Sequence, residues 1–182
     1  MENEVILTTE RLRLRKLTPD DLPLLEKSLC DARVMYAYEH GFSRDEALEW
    51  LERQIARYSS DGCGLWGVER LSDGAFLGQC GITMQPLYDT LVPEIGYVFD
   101  DEYWGLGYAT EAAKACKKYG FEVMGAAELF SIIRGNNLPS IRVAERNGMT
   151  PRRRSSVTRL LLIPHQKYFW RGTPNKICFY VS

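Results

Sequence analysis

Two glycines one residue apart, Gly105 and Gly107, stand between a strand-like run, Glu94 to Phe99, and a helical run, Gly107 to Val123. That order restricts the chain more than any other feature. A chain that leaves a strand through a tight glycine turn straight into a helix aims unpaired amides, and the positive end of the helix dipole, at one spot. Glycine also lets the backbone approach a ligand closely. Such a turn accepts a phosphate or pyrophosphate. Two familiar phosphate loops are excluded: the third glycine of G-x-G-x-x-G would fall at Thr110, and no Gly-Lys-Ser/Thr follows. A bare G-x-G is common, so the context of strand, turn and helix carries the reading.

The flanking elements have their own signals. Leu12, Leu14 and Leu17 alternate with Arg11, Arg13 and Arg15, the pattern of a half-buried strand. Thr18-Pro19-Asp20-Asp21 reads as a helix start, with Leu22, Leu25 and Leu29 as the buried stripe. Ser43-Arg44-Asp45-Glu46 is a capping box, followed at helical spacing by Leu48, Leu51, Ile55 and Tyr58. Trp50 lies off that stripe and faces either a neighbouring loop or a substrate cleft. Leu65 to Arg70 and Ala75 to Met84 form two strands joined at Ser72-Asp73-Gly74. The helix from Gly107 turns Ala109, Ala112, Cys116, Tyr119 and Val123 to one face. Leu129 to Ile133 is a strand, and Ser140 to Asn147 a helix closed by Gly148. Val157 to Ile163, Tyr168 to Trp170 and Ile177 to Val181 read as further strands. Hairpin strands followed by alternating strand and helix predict an α/β domain with a mixed sheet. Connections are short and no repeat appears, so residues 1–182 read as a single domain.

Composition closes other routes. A net charge of −1 argues against a partner held by phosphate neutralisation, so no nucleic acid is expected. The run Arg152-Arg153-Arg154 reads as a solvated surface. The five cysteines are odd in number and widely spaced, and only two histidines exist, so no metal is expected and the thiols read as reduced in a cytoplasmic protein. The acidic start Met1-Glu2-Asn3-Glu4 lacks the features of a signal peptide, and no apolar run has membrane-spanning length. Monomer and homodimer are both compatible with the sequence.

The run Tyr103-Trp104-Gly105-Leu106-Gly107-Tyr108-Ala109-Thr110-Glu111-Ala112 resembles motif A of the GNAT N-acetyltransferases, especially the ribosomal-protein N-terminal (RimJ/RimL-like) branch. Asn137 to Met149 resembles that branch's second motif, Thr9 to Arg15 is similar to its start, and Ile163-Pro164-His165 to Tyr168 is a weaker fourth match. The resemblance spans about residues 8–149. It implies a mixed, mostly antiparallel sheet of six to seven strands, with splayed parallel central strands and helices on both faces. Acetyl-CoA would lie in the gap between the strand at Glu94–Phe99 and its neighbour at Leu129–Ile133. Its pantetheine arm would pair with the strand edge through Val98 and Phe99. Its pyrophosphate would sit on the turn formed by Trp104, Gly105, Leu106, Gly107, Tyr108, Ala109 and Thr110, with Asn137 on the pantetheine. Some positions depart from the family. Trp104 stands where Gln or Arg is common, and Ala144 replaces a frequent tyrosine acid. Ser140 matches a serine placed beside the thiol in this branch. Residues 150–162 and the tail after Trp170 do not match.

Acetyl transfer needs a neutral amine. A lysine amine, with a reference pKa of about 10.4, loses roughly 4–5 kcal/mol to protonation at pH 7, a peptide α-amine only about 1 kcal/mol. A modest base suffices for the latter. Glu94, at the start of the cofactor strand, is the candidate, its other reading being a surface charge. Ser140 is the candidate donor to the thiolate, its other reading a helix N-cap; a backbone N–H near Phe99 would polarise the carbonyl. Tyr97 reads as core, and Glu111 as an acid favoured by the helix dipole. The expected activity is acetyl transfer to a primary amine of a peptide N-terminus or small molecule. The rivals are a non-catalytic acyl-CoA sensor, separated by turnover with amines, and a transferase of another acyl group, separated by a chain-length series.

Overall fold

A computed structural model describes residues 4–38, 40–87, 90–152 and 177–181. The chain runs β1 (Val5–Thr8), β2 (Leu12–Arg15), α1 (Leu22–Leu29), α2 (Arg44–Ser60), β3 (Leu65–Arg70), β4 (Phe76–Leu87) and β5 (Thr90–Phe99). It continues through α3 (Tyr108–Glu122), β6 (Phe130–Arg134), α4 (Leu138–Arg146), β7 (Thr150–Arg152) and β8 (Ile177–Val181). The strands form one eight-stranded sheet in the order β1-β2-β3-β4-β5-β6-β8-β7. That exceeds the expected six or seven, with three-residue β7 at the edge. Of the other strands expected near the C-terminus, Ile177–Val181 forms as β8. Val157–Ile163, Tyr168–Trp170 and the Ile163–Tyr168 match lie outside the described residues.

Neighbouring strands pair antiparallel except β5 with β6. β4 and β5 stay in register from Gly78↔Phe99 to Leu87↔Thr90. The parallel pair meets only at Glu94↔Phe130 and then diverges. The sheet is covered on both faces. Leu12, Leu14, Trp66, Cys80 and Ile82 pack with Ala112 and Cys116 of α3 on one side. Leu17, Leu25, Leu29, Ala47, Leu51 and Val98 pack under α1 and α2 on the other. Each such Leu or Ile contributes roughly 1.5–3 kcal/mol on burial.

Covering the second face changes what the sequence pattern meant. β2 keeps its half-buried alternation at Leu12, Arg13 and Leu14, but Arg15, on the outer side with Arg13, is only 3% exposed. It survives there because Asp21 and Glu69 bind its guanidinium at 2.7 and 2.6 Å. Asp21 also accepts the Thr18 amide at 2.7 Å, closing the turn that leads into α1. The Ser43–Glu46 box forms reciprocally, at 3.3 and 2.8 Å. The α2 stripe is shifted, however. Ala47, Leu51 and Gln54 are buried, while Leu48 is 39% exposed. Gln54 is tolerated inside because its side-chain oxygen accepts the Leu65 amide. On α3, Tyr108, Ala113 and Gly120 join Ala112 and Cys116 in the core, and Val123 is exposed beyond the last turn.

Candidate active site

After β5, one short helical turn (Asp101–Tyr103) leads through Trp104 to Gly105 and Gly107, with φ of 75° and 85°. Both glycines are left-handed, a conformation that costs other residues about 1–2 kcal/mol. Gly107 is the N-cap of α3 and no side chain caps that end, so the first amides of the helix face outward. The turn is held from behind. Glu111 accepts the Thr9 hydroxyl at 2.6 Å and the Arg11 amide at 2.9 Å, and pairs with the Arg11 guanidinium at 2.7 Å. Arg11 also donates to the Leu106 carbonyl at 3.1 Å and lies 4.5 Å above the Tyr108 ring. Partial burial works against ionisation of Glu111, but these donors together hold its carboxyl below the usual range. Glu111 is thus an anchor of the loop and more than a dipole partner. The Tyr108 side chain is buried, leaving its main chain for a ligand, and Ala109 and Thr110 continue the first turn of α3. Trp104 and Leu106 are exposed at the rim. The Trp104 indole donates to the Phe99 carbonyl at 2.8 Å.

The divergence of β5 from β6 opens a gap beside that loop. Asp100 gives its amide to Leu77 of β4. Strand alternation turns the main chain of Val98 the same way, and those of Ile95, Tyr97 and Phe99 toward β6. The Ile95 carbonyl confirms it by accepting the Ser131 hydroxyl at 3.0 Å. The open edge is therefore carried by Tyr97 and Phe99, while Val98 points its side chain into the cavity under α2. Across the gap, Tyr97 donates its hydroxyl to the Ser140 carbonyl at 2.8 Å, so Tyr97 bridges to α4 and does not merely fill the core. The N-cap of α4 is Asn137, not Ser140. The Asn137 side-chain oxygen accepts the Ser140 amide at 3.2 Å and the Tyr36 hydroxyl at 2.7 Å, which leaves its NH₂ group for a ligand. Ser140 sits in the first turn of α4, and among the described residues its hydroxyl makes no hydrogen bond.

On the opposite face, a cavity of about 170 Å³ lies between α2, the loop at Ala37–Tyr38 and strands β4, β5 and β6. Glu94 lines it. Burial pushes its carboxyl up to about 7, against hydrogen bonds from the Ile132 amide and the Thr83 hydroxyl and the field of Arg57. The Ile132 amide donates at 3.1 Å. Trp50 lines the cavity, donates to Gln79 at 3.1 Å and packs against the Tyr38 and Phe42 rings of the preceding loop, so it meets a loop and a cavity at once. Sequence reasoning did not single out Arg53, Arg57, Thr83, Gln85 or Arg134, which also line it. The available signal was weak: polar Arg53, Gln54 and Arg57 on the inner side of an amphipathic helix.

The described residues hold no group of three or more His, Cys, Asp or Glu able to take a metal, and no helix long and apolar enough to cross a membrane. Residues 11–150 match the acetyltransferase (GNAT) domain family. The YkkB protein of Bacillus subtilis is 39% identical over 150 residues, 82% of this chain and 87% of that one. An acetyltransferase from Agrobacterium tumefaciens has the same fold with a TM-score of 0.78 at 26% identity, over 100% of this chain and 95% of its own. RimL, a ribosomal L7/L12 α-N-protein acetyltransferase solved with coenzyme A, is similar in fold alone, with a TM-score of 0.74 at 17% identity over 98% and 97% of the two chains. A glycine turn at an uncapped helix start, an open strand edge beside it and a match across residues 11–150 agree: the chain belongs to the GNAT acetyltransferases.

Proposed function

We propose that the chain moves the acetyl group of acetyl-CoA to a primary amine, of a peptide N-terminus or a small molecule, by direct attack in the gap between β5 and β6. The observation that carries the reading is the juxtaposition of the uncapped start of α3 with the single parallel pairing at Glu94↔Phe130. The residues present fit the cosubstrate. Gly105, Leu106, Gly107, Tyr108, Ala109 and Thr110 supply a turn with outward amides for the pyrophosphate. Tyr97 and Phe99 supply a strand edge, and the Asn137 amide group a donor, for the pantetheine. Trp104 bounds the gap from the rim. The thioester supplies an activated acetyl group; the chain supplies position and proton handling.

Glu94 acts as the base. A carboxyl pushed up to about 7 is close to half ionised at neutral pH, where a general base is most effective. The Ile132 amide and Thr83 hydroxyl hold its orientation. The Phe99 amide, turned to the gap by strand alternation, is the proposed donor to the acetyl oxygen. The Ser140 hydroxyl is the proposed donor to the departing sulfur. RimL carries coenzyme A on the same fold, which supports the placement of the cosubstrate.

Calorimetric titration with acetyl-CoA tests the reading, with micromolar binding expected. Gly107→Val puts a side chain at φ 85° with its Cβ 3.4 Å from the Arg11 guanidinium. It should weaken acetyl-CoA binding at least tenfold. Unchanged affinity in that variant would remove the loop from the site.

A further inference from the structure

The cavity under β5 holds more charge than a bare amine requires. α2 brings Arg53 and Arg57 to it, and Arg134 enters from the end of β6, against one lining carboxylate, Glu94, among the described residues. Arg53 and Arg57 are four residues apart and share a helix face. The Arg53 guanidinium carbon lies 5.6 Å from the centre of the Trp50 ring. Arg57 is 15% exposed and reaches Asp61 only at 3.9 Å. Guanidinium forks match a carboxylate in two-point geometry. The other polar feature is Gln85. Its Nε2 donates to the Thr83 hydroxyl at 3.0 Å, while its Oε1 is buried with no hydrogen-bond partner among the described residues. A buried carbonyl oxygen in that state calls for a donor. An incoming amine supplies one, beside the Thr83–Glu94 pair that takes up its proton. The volume, about 170 Å³, is below the roughly 300–1,000 Å³ of sites for larger ligands.

We propose that the acceptor is an amino acid, its amine received by Gln85 Oε1 and Glu94 and its carboxylate by Arg53 and Arg57. This deepens the acetyl-transfer reading and rests on it. Amine and acetyl thioester give amide and thiol: the nitrogen–carbon bond forms, the carbon–sulfur bond breaks, and the amine proton passes through Glu94 to balance the thiolate.

The test is a thiol-release assay on the full chain with acetyl-CoA and three acceptor sets. These are free amino acids, the same amino acids as carboxamides, and a phosphorylated amine with a short peptide. The expected result is at least one amino acid with kcat/KM ten times or more above its carboxamide and above both other acceptors. In Arg57→Gln and Arg53→Gln that ratio should fall toward one, mainly through KM. A variant that binds acetyl-CoA as the parent does is folded, and the parent's own ratio stands if neither variant folds. Equal use of carboxamides, preference for the phosphorylated amine or the peptide, or no turnover of any amino acid by protein that binds acetyl-CoA would each overturn the proposal. Failure to bind acetyl-CoA at all would instead remove the acetyl-transfer reading beneath it.

Discussion

Burial, more than any neighbouring charge, sets the behaviour of Glu94. The carboxyl is pushed up to about 7 from an ordinary 4.5. The folded protein therefore holds this proton more tightly than the unfolded chain does, and stability falls as pH rises from about 4.5 to about 7. The gap amounts to roughly 3 kcal/mol, felt in full only above pH 7. Replacing the residue by glutamine keeps an oxygen for the Ile132 amide and removes the charge. Glu94→Gln should raise the melting temperature at pH 8 and leave it nearly unchanged at pH 4.5. In catalysis the sign is opposite. The parent should lose rate below pH 7 as the base is protonated, and the variant should be slower throughout and lack that limb. A parent curve flat from pH 6 to 9 would rule Glu94 out as the base. The sequence marked Glu94 as a candidate by its place at a strand start. It did not show the enclosure that raises the carboxyl, because Thr83, Arg57 and Ile132 come from three other elements.

At the scale of elements, the turn into α1 depends on a pairing that no local signal announces. Asp21 looks like an acid placed for the helix dipole, yet it is 4% exposed and clamps Arg15, whose other partner, Glu69, is in β3. Burial alone would raise its carboxyl, and the bonds from Arg15 and Thr18 hold it below the usual range instead. Removing one partner leaves a buried charge short of its counter-charge. Asp21→Ala should cost about 3 kcal/mol, read by urea unfolding; a loss under 1 kcal/mol would mean that Glu69 alone suffices. Elements with local signatures were legible: the Ser43–Glu46 box, the hairpin at Asp73-Gly74, and Gly148 after α4, which adopts φ 74°. The phase of α2 was not. Leu48 and Leu51 are both plausible inward residues, and only the sheet beneath, with the Leu65 amide waiting for Gln54, decides between them.

Across the whole molecule, the glycine turn of the candidate site was readable, while the phase of the strand edge, expected at Val98 and carried by Tyr97, and most of the cavity lining were not. Gly105 and Gly107 disclose their backbone directly, whereas the cavity draws its lining from α2, β4, β5 and β6, which lie far apart in the chain. The main chain of the turn and strand edge gives a test of the cosubstrate site. Acetyl-CoA should slow amide hydrogen exchange at Tyr97, Phe99 and residues 105–110, and much less at Leu12–Arg15 on the other flank of the sheet. Equal slowing everywhere would indicate global stabilisation without a site. The divergence of β5 and β6 has a mechanical consequence. Two plates joined along one rung open like a hinged cover, and points on the hinge line travel least. That line runs through Glu94↔Phe130, with the Ile95–Ser131 and Glu94–Ile132 bonds beside it. A carboxyl on that line is the part of the gap whose position depends least on how far the two strands stand apart beyond it.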